Sequence, residues 1–527
     1  MRPGLTRPAI AARLPEIALG ALMALAATVL LRVGHGLTFF GDEWNFILTR
    51  RGDGINDLLD AHVQHFSLVP VVIYRAMFVV FGIDHYGPYR VATVVLHLVC
   101  VALLYALARQ RLGAWAGLVA VVPVLFLGRA HEDLIWAFQV GFLSAIAAGL
   151  GALLALRRGT RRGDIAATLL LCVSLASSGV GIPFFVVAVV EVALNGFSRR
   201  WWVALVPLWM YLLWYSGYGE PSAQMSNLPA APLFAATMIA GATGALVGLG
   251  LDFGRMVALL GAWGAARAAA GSRVVRNRVL PPLCGVLAFA VSTGLARADN
   301  ETPSASRYVY PTAVLIVLIA IEVVPGRRAG RRALVAAAAV AAIAALTNLT
   351  PLQDAAEVRR EQADAMRASL AGIELARDTV PQGFALQAGA IEAHAYLKAI
   401  DDWGSPAYTP AELATRPEGV RAQADSVLLA ALPLRVQPGV QPAGRCTTPP
   451  RGPGGTVDLV LPPGGFTVLP GGPAPVELRA RVFAQQFPNG PTTTLGPAPA
   501  RVELPPGRPR PDAHVLLTAG RPVRVCG

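Results

Sequence analysis

The block pattern of the apolar residues constrains this chain more than any other feature. Apolar runs of roughly fifteen to thirty residues alternate with short polar stretches that are rich in Arg. A bilayer core about 30 Å thick takes about 20 apolar residues per helical crossing. Because lipid offers no partner to backbone N–H and C=O groups, a chain with this pattern crosses the membrane as helices. The pattern therefore predicts an all-α polytopic membrane bundle.

Composition and charge agree with that prediction. The chain has 527 residues, of which 54% are hydrophobic and only 15% are charged, whereas a soluble protein carries about 25% charged residues. In a soluble chain a net charge of +13 would suggest nucleic acid as a partner. Here the Arg residues lie mostly at the ends of apolar runs, where they fix orientation and face anionic lipid. We therefore expect a membrane partner and no nucleic acid.

Arg-rich segments predict the orientation of the helices. Three Arg residues precede the first apolar run, which we interpret as an uncleaved span with a cytoplasmic N-terminus. Residues 68–82 are short for a span, and we assign them to a helix in the outer interface. Residues 231–253 are either interfacial or re-entrant. The rule that positive loops stay inside then gives about eleven spans and an external C-terminus: 16–34, 89–108, 113–128, 134–156, a pair of short helices in 165–195, 201–217, 254–270, 279–296, 311–325 and 333–350.

Composition changes sharply after Pro351. We expect a transmembrane domain over 1–350, a helical connector over 351–380 and an extracytoplasmic β-rich domain over 381–527. Short runs in this last region alternate with period two between Pro and Gly, which is typical of a small sandwich. The β-rich domain could bind sugar or simply cap the outer face, and the sequence leaves both open. The clearest alternating runs are Val457–Leu461, Val476–Val482 and Ala513–Leu517.

The five cysteines fall into two groups. Cys100, Cys172 and Cys284 lie inside apolar runs and are expected to be packing residues. Cys446 and Cys526 both lie in the C-terminal region and could form a disulfide if that region is outside the cytoplasm.

Charged side chains near a membrane are costly, so their positions are informative. In the predicted topology three loops on the outer side concentrate them. Loop solvation, helix capping and anchoring at the lipid surface are ordinary explanations for each group and stay open. The candidate residues are Asp42, Glu43, His62 and His65 in the first loop, His131, Glu132 and Asp133 in the second, and Arg307 and Tyr308 in the third.

These residue types suit an acid–base reaction on an anionic lipid. A carboxylate can deprotonate an acceptor hydroxyl, and Arg can hold a phosphate through a bidentate pair. His can add a hydrogen bond or a second positive charge. Trp44 and Tyr308 are amphipathic aromatic residues on which a sugar could stack.

The order of four motifs over residues 15–350 resembles the GT-C superfamily of membrane glycosyltransferases, which use polyprenyl-phosphate sugar donors. Many members have Pro soon after the motif His, whereas here it follows only at Pro70. The C-terminal domain is similar in placement to the sugar-binding domains of actinobacterial cell-wall arabinosyltransferases. The motifs are an acidic pair after the first span (Asp42, Glu43), a His segment running into a short apolar helix (His65 to Gly82), a span that starts with Tyr89-Arg90, and a late loop that ends in Ser306-Arg307-Tyr308.

The resemblance implies a role for each candidate group. Asp42 or Glu43 would be the general base of an inverting transfer. Arg307, with His65 and Tyr308, would hold the donor phosphate. The residues of the second loop, His131, Glu132 and Asp133, would assist or bind Mg²⁺ or Ca²⁺ in members that need a divalent ion; no cofactor is certain.

The sequence leaves three functions open. The first is a glycosyltransferase of the plasma membrane that moves a sugar from a polyprenyl-phosphate lipid to a cell-wall glycan or glycolipid on the outer face. The second is a GT-C-like scaffold that binds glycolipid without catalysis. The third is a lipid or solute transporter, for which we would expect ionisable residues at mid-span and repeated halves.

Overall fold

The computed structural model describes residues 7–52, 54–323, 330–386, 390–487, 492–505 and 508–527. The chain folds into two compact units, each assembled from several segments. The first unit comprises Met1–His35, Thr49–Met77 and Gly87–Val358, and the second comprises Gly36–Leu48, Phe78–Tyr86 and Arg359–Gly527.

Long helices dominate the described residues up to Leu375. The predicted helical membrane bundle is therefore confirmed. In chain order the helices are α1 (Arg7–Val33), α2 (Glu43–Thr49), α3 (Ile55–Leu59), α4 (Leu68–Phe81), α5 (Gly87–Leu112), α6 (Ala114–Leu125), α7 (His131–Ile135), α8 (Val140–Leu156), α9 (Arg161–Leu175), α10 (Gly181–Leu194), α11 (Phe197–Tyr218), α12 (Ala231–Leu246), α13 (Leu251–Gly271), α14 (Arg273–Arg297), α15 (Ser306–Val323), α16 (Arg331–Thr347) and α17 (Leu349–Leu375).

Among the described residues six helices are long and apolar enough to cross a membrane, or up to eight if each of two bent pairs is one span. The chain is thus a multi-pass membrane protein, but the count of about eleven is not confirmed. The expected span 113–128 folds as the shorter helix α6, and the expected span 254–270 belongs to the bent pair of α12 and α13. The six are Arg13–Val33, Gly87–Leu112, Ala137–Leu156, Arg273–Arg297, Ser306–Val323 and Arg331–Leu375.

The run 165–195 folds as two short helices, as the sequence predicts. Thr160 caps α9, because its hydroxyl accepts a hydrogen bond of 3.1 Å from the N–H of Gly163. The chain then turns into α10 at Gly181, where an added Cβ would lie 2.3 Å from the carbonyl oxygen of Ser174. Only glycine permits this close approach of the two backbones.

Residues 231–253 contain the sharpest bend. Helices α12 and α13 meet at an angle of 98° across a short break, where Gly248 has a φ of 75°. A Cβ on Gly254 would lie 2.1 Å from the carbonyl oxygen of Ala240, so the two helices pack in backbone contact. The glycines of this segment, rather than its hydropathy, determine the bend.

The second unit combines helices with two antiparallel sheets. The expected β-rich C-terminal region is confirmed, although the part before Arg435 is largely helical. Its helices are α18 (Ala393–Trp403), α19 (Pro410–Ala414) and α20 (Glu418–Ala431). Its strands are β1 (Ala385–Leu386), β2 (Ile391–Glu392), β3 (Arg435–Pro438), β4 (Cys446–Thr447), β5 (Thr456–Leu461), β6 (Phe466–Leu469), β7 (Val476–Arg481), β8 (Thr493–Leu495), β9 (Ala500–Glu503), β10 (Ala513–Thr518) and β11 (Arg524–Cys526).

The strand pairing follows the period-two pattern. One sheet has the order β5-β10-β7-β8 and the other β3-β9-β6-β11-β4, with β1 and β2 forming a separate pair. Alternate residues of β7 and β10 are buried, as expected for strands with one face on a core. Cys446 pairs with Cys526 across β4 and β11, and the two form a disulfide.

A buried carboxylate joins α20 to the end of β7. Asp425 is fully buried and accepts hydrogen bonds of 2.9 Å from the N–H groups of Val482, Phe483 and Ala484. Burial raises the pKa of Asp425, and the N–H donors act in the opposite direction. Three backbone donors aimed at one carboxylate fix the helix against the sheet edge.

Candidate active site

In the first unit Glu132 binds the N-terminus of α15. The N–H of Arg307 donates to Glu132 Oε2 over 3.1 Å, and the hydroxyl of Ser306 donates to the same oxygen over 3.0 Å. The N–H of Glu132 in turn donates to Ser306 Oγ over 3.2 Å. The first turn of a helix has N–H groups without intrahelical partners and a positive dipole end, so it attracts a carboxylate.

The guanidinium of Arg307 lies between two carboxylates. Its Nη1 is 3.4 Å from Glu132 Oε1, and its Nη2 forms a close ion pair with Glu301. The hydroxyl of Tyr308 donates to the same Glu301 oxygen. The side chain of Arg307 is 28% exposed and that of Glu301 is 23% exposed. Glu301 is therefore a partly exposed anion held by two adjacent donors, one a cation and one a phenol.

The other residues of the second loop contribute unequally. His131 Nδ1 is 3.5 Å from Ser306 Oγ. His131 therefore joins Glu132, Glu301, Ser306, Arg307 and Tyr308 in a group that we call the Glu132–Arg307 cluster. Asp133 is fully buried, and within the described residues its carboxyl oxygens have no hydrogen-bond partner. Its side chain thus lies in the packed interior, not with the exposed part of the cluster.

The cluster does not resemble a metal centre. Within the described ranges there is no group of three or more His, Cys, Asp or Glu side chains placed to hold a metal ion. The carboxylate of Glu132 is bound to Arg307 and to the hydroxyl of Ser306, and a guanidinium beside it repels a divalent cation. We therefore assign no step to a metal at His131, Glu132 and Asp133.

His62 and His65 lie at a separate, tight turn of the first unit. The two residues exchange backbone hydrogen bonds of 3.0 and 2.9 Å. Between them Val63 and Gln64 have φ values of 47° and 67°, which are strained for residues with a Cβ. A Cβ on Gly179 would lie 2.8 Å from Nδ1 of His65, so the ring is packed against that glycine.

Both imidazoles of the turn are neutral near pH 7. Burial, and then the nearby guanidinium of Arg50, lower the pKa of His62 to about 4. Burial, and then the guanidinium of Arg297, lower the pKa of His65 to about 4. Each neutral ring can donate one hydrogen bond and accept another, but it adds no positive charge for a phosphate.

The acidic pair belongs to the second unit, and its two members differ. Glu43 is fully buried; it accepts a hydrogen bond of 2.9 Å from the N–H of Phe40 and one of 3.0 Å from the hydroxyl of Tyr86. Asp42 is only partly buried. Of the two acidic residues, Asp42 is the more exposed.

Trp44 does not offer a sugar a free face. It is fully buried and makes edge contacts with the rings of Phe39 and Tyr396, with centroid distances of 6.1 and 5.9 Å. The expectation of sugar stacking on Trp44 is therefore wrong, because the indole is part of the core of the second unit.

Glu301 is a functional candidate that the sequence motifs do not indicate. It lies six residues before Arg307 in the same loop, and it accepts from both Arg307 and Tyr308. The signal was available, since an acid shortly before a motif Arg is a natural ion-pair partner. Only the tertiary structure reveals that the hydroxyl of Ser306 joins α7 to α15.

Two solved structures are similar to this chain, and both are of ArnT from Cupriavidus metallidurans. The structure bound to undecaprenyl phosphate has 14% sequence identity and a TM-score of 0.46, and the apo structure has 13% and 0.45. Each similarity covers 72% of this chain and 84% of the ArnT chain. No family model matches the sequence, and no curated protein matches it. Identities and TM-scores of this size assign neither a family nor a ligand to this chain.

Proposed function

We propose that this chain is an integral membrane glycosyltransferase of the GT-C type. It would move a sugar from a polyprenyl-phosphate donor to a glycan or glycolipid acceptor of the cell envelope. The observation that carries the proposal is the arrangement around Glu301, in which Arg307 and Tyr308 together hold one partly exposed anion. A guanidinium and a phenol that converge on one anionic oxygen suit a phosphate.

Exchange of anions at this site explains how Arg307 could serve a donor lipid. A phosphate oxygen that replaces the Glu301 carboxylate would accept hydrogen bonds from both Arg307 and Tyr308. Glu132 would remain bound on the other side of the guanidinium and keep it oriented. As the sugar leaves, negative charge grows on the phosphate, and the fixed cation stabilises it more strongly than in the ground state.

Asp42 is the proposed general base. The acceptor hydroxyl oxygen attacks C1 of the donor sugar from the face opposite the phosphate, and the C1–O bond to the phosphate breaks. The acceptor proton moves to the Asp42 carboxylate, and the polyprenyl phosphate leaves with the bonding electrons. This displacement inverts the configuration at C1. Glu43 would position the loop, because its carboxylate is already bound by Phe40 and Tyr86.

The membrane arrangement is part of the proposal. Residues 1–350 would form the membrane domain, 351–380 the connector and 381–527 the outer domain, with a cytoplasmic N-terminus in the plasma membrane. The β-strands of the outer domain would bind the acceptor glycan or cover the outer face. A neutral His65 would contribute a hydrogen bond, not a charge, to a donor.

The experiment measures two quantities on the full-length chain. Membranes that contain each variant receive a labelled polyprenyl-phosphate sugar, and label transfer is measured; native mass spectrometry of the purified protein measures polyprenyl phosphate binding. We expect Arg307→Gln to weaken binding by about tenfold or more, the effect of a lost charge-assisted hydrogen bond. Arg129→Gln is the matched control, because Arg129 is exposed in the neighbouring loop.

Two further variants separate the roles. Glu301→Gln should tighten polyprenyl phosphate binding, because a neutral amide competes less well for Arg307. Asp42→Asn should leave binding unchanged and reduce transfer by about 10²-fold or more. Binding without transfer in the parent chain would indicate the scaffold, and movement of unmodified lipid across the bilayer would indicate a transporter. Equal binding by the Arg307 and Arg129 variants would refute the phosphate site.

A further inference from the structure

A polar cavity lies in the first unit at the end of α15 opposite to Arg307. It has a volume of about 420 Å³, and Glu322 is among its lining residues. Arg307 is in the first turn of α15 and Glu322 is in the last. At about 1.5 Å per residue the two lie about 22 Å apart along the helix axis. The cavity is therefore separate from the Glu132–Arg307 cluster.

Two layers of side chains line this cavity. Leu153 lies four residues before Arg157, and Leu318 lies four residues before Glu322. Each apolar residue is therefore one helical turn from a charged residue on the same helix face, so the lining divides into a charged layer and an apolar layer. The apolar residues are buried, while Arg278 at the edge is exposed. The same relation joins Glu191 to Val187 and Arg278 to Pro282.

The charged layer carries an excess of positive charge. Glu322 is 5% exposed and binds two of the guanidiniums, with its Oε2 3.0 Å from Nε of Arg111 and its Oε1 in contact with Arg157. Arg278 makes no ion pair within the described ranges of the chain. In total the cavity is lined by Arg111, Arg157 and Arg278 and by the two carboxylates of Glu191 and Glu322. The excess positive charge leaves room for an anion beside Arg278 and Arg157.

The form of the cavity indicates an amphiphile. A charged layer rich in hydrogen-bond donors next to a buried apolar layer suits a molecule with an anionic head group and an apolar body. The helix ends around it are those with Arg-rich sequence, such as Arg157 to Arg162 and Arg273 to Arg278. Arg-rich helix ends face anionic lipid head groups, and basic pockets between helices bind them.

We propose that this cavity binds the phosphate head group of an anionic membrane lipid. The phosphate would lie against Arg278 and Arg157, and the glycerol and first acyl carbons would lie on Leu153 and Leu318. A free phosphate compound shares the anionic group but would leave the apolar layer without a partner. The proposal does not depend on the glycosyltransferase function, because none of these residues belongs to the Glu132–Arg307 cluster.

The test uses full-length protein purified in detergent and native mass spectrometry. The probes are phosphatidylglycerol, phosphatidylcholine with the same acyl chains, and glycerol 3-phosphate as the head group alone. The variants are Arg278→Gln and Glu191→Gln. Arg276→Gln is the matched control, since Arg276 is exposed two residues away and does not line the cavity.

We expect one phosphatidylglycerol to bind the parent more tightly than phosphatidylcholine. Arg278→Gln should weaken this binding by about tenfold, while Arg276→Gln leaves it unchanged. Glu191→Gln should strengthen it several-fold, because a negative charge is removed from the charged layer. Equal binding of the two lipids, or equal effects of the two Arg variants, would overturn the proposal. If glycerol 3-phosphate binds as tightly as phosphatidylglycerol, the ligand is a soluble phosphate and the lipid assignment fails.

Discussion

Glu132 and Ser306 exchange hydrogen bonds across 174 residues of sequence: the Ser306 hydroxyl donates to the Glu132 carboxylate, and the Glu132 N–H donates to the Ser306 oxygen. Together with the Arg307 N–H, which also donates to the Glu132 carboxylate, these bonds resemble the reciprocal side-chain and backbone bonds of a capping box. They hold the first turn of α7 against the first turn of α15. The same carboxylate also binds Arg307, so the contact that joins the segments orients the proposed phosphate-binding residue.

Loss of the Glu132 carboxylate should destabilise the first unit. Glu132→Ala leaves the Arg307 N–H and the Ser306 hydroxyl without an acceptor, and we expect a cost of about 1–3 kcal/mol. Glu132→Gln keeps one acceptor oxygen and should cost less. Thermal unfolding of the purified protein measures both. Glu220→Ala is the control, because Glu220 is exposed; an equal effect at Glu220 would contradict the capping role.

The two acids of the first loop should separate stability from activity. Glu43→Ala leaves the buried hydroxyl of Tyr86 and the N–H of Phe40 without their acceptor, and we expect a loss of about 2–4 kcal/mol. Asp42→Ala should cost less than Glu43→Ala, because Asp42 is only partly buried. Denaturation monitored by Trp fluorescence distinguishes the two. A larger loss at Asp42 than at Glu43 would show that the burial argument is wrong.

Acidification should weaken the fold at the His62–His65 turn. Folded His62 and His65 have pKa values lowered to about 4, whereas unfolded His titrates near about 6.5. Between these values the unfolded state binds more protons, so unfolding free energy falls as pH falls from about 6.5 to 4. The full effect is on the order of a few kcal/mol.

Unfolding midpoints measured at several pH values test this dependence. His65→Gln should flatten the decline in stability, because the glutamine does not titrate. His85→Gln serves as the control, since His85 is exposed. If the parent protein keeps the same unfolding free energy between pH 6.5 and pH 4, then burial does not lower the pKa values of His62 and His65 as described.

The disulfide should stabilise the sheets of the second unit. Cys446 and Cys526 close a loop with a sequence separation of 80, and cross-links over long loops typically contribute about 2–5 kcal/mol. Reduction, or Cys446→Ser, should lower the temperature at which the C-terminal region becomes sensitive to protease. Cys172→Ser is the control, because Cys172 is a free thiol in α9. Unchanged protease sensitivity on reduction would count against a stabilising role.

Sequence patterns were informative where a single periodicity determines the structure. The runs at Val457–Leu461, Val476–Val482 and Ala513–Leu517 correspond to β5, β7 and β10, because a strand with one buried face must alternate. The helices between Ala393 and Ala431 were not predicted. For α19 a signal existed, since Thr409 and Glu412 form a capping box with the sequence spacing typical of one.

Periodicity in the sequence does not give the number of membrane spans, nor does it distinguish the roles of neighbouring acidic residues. An apolar run has the same composition whether its helix is straight, as in α5, or bends by 98°, as between α12 and α13. Neighbouring acids also look equivalent in sequence. Glu43 is buried while Asp42 is partly exposed, and Glu132 binds Arg307 while Asp133 is enclosed in the interior.

Long apolar runs and period-two runs are enough to identify a multi-pass helical membrane protein with a strand-rich C-terminal region, because each pattern permits only one kind of backbone hydrogen bonding in its surroundings. The packing of the helices determines which carboxylate pairs with which guanidinium. Local sequence does not determine these pairs. Glu132 and Arg307 are 175 residues apart, and a contact over that distance depends on how several helices pack, which local sequence does not specify.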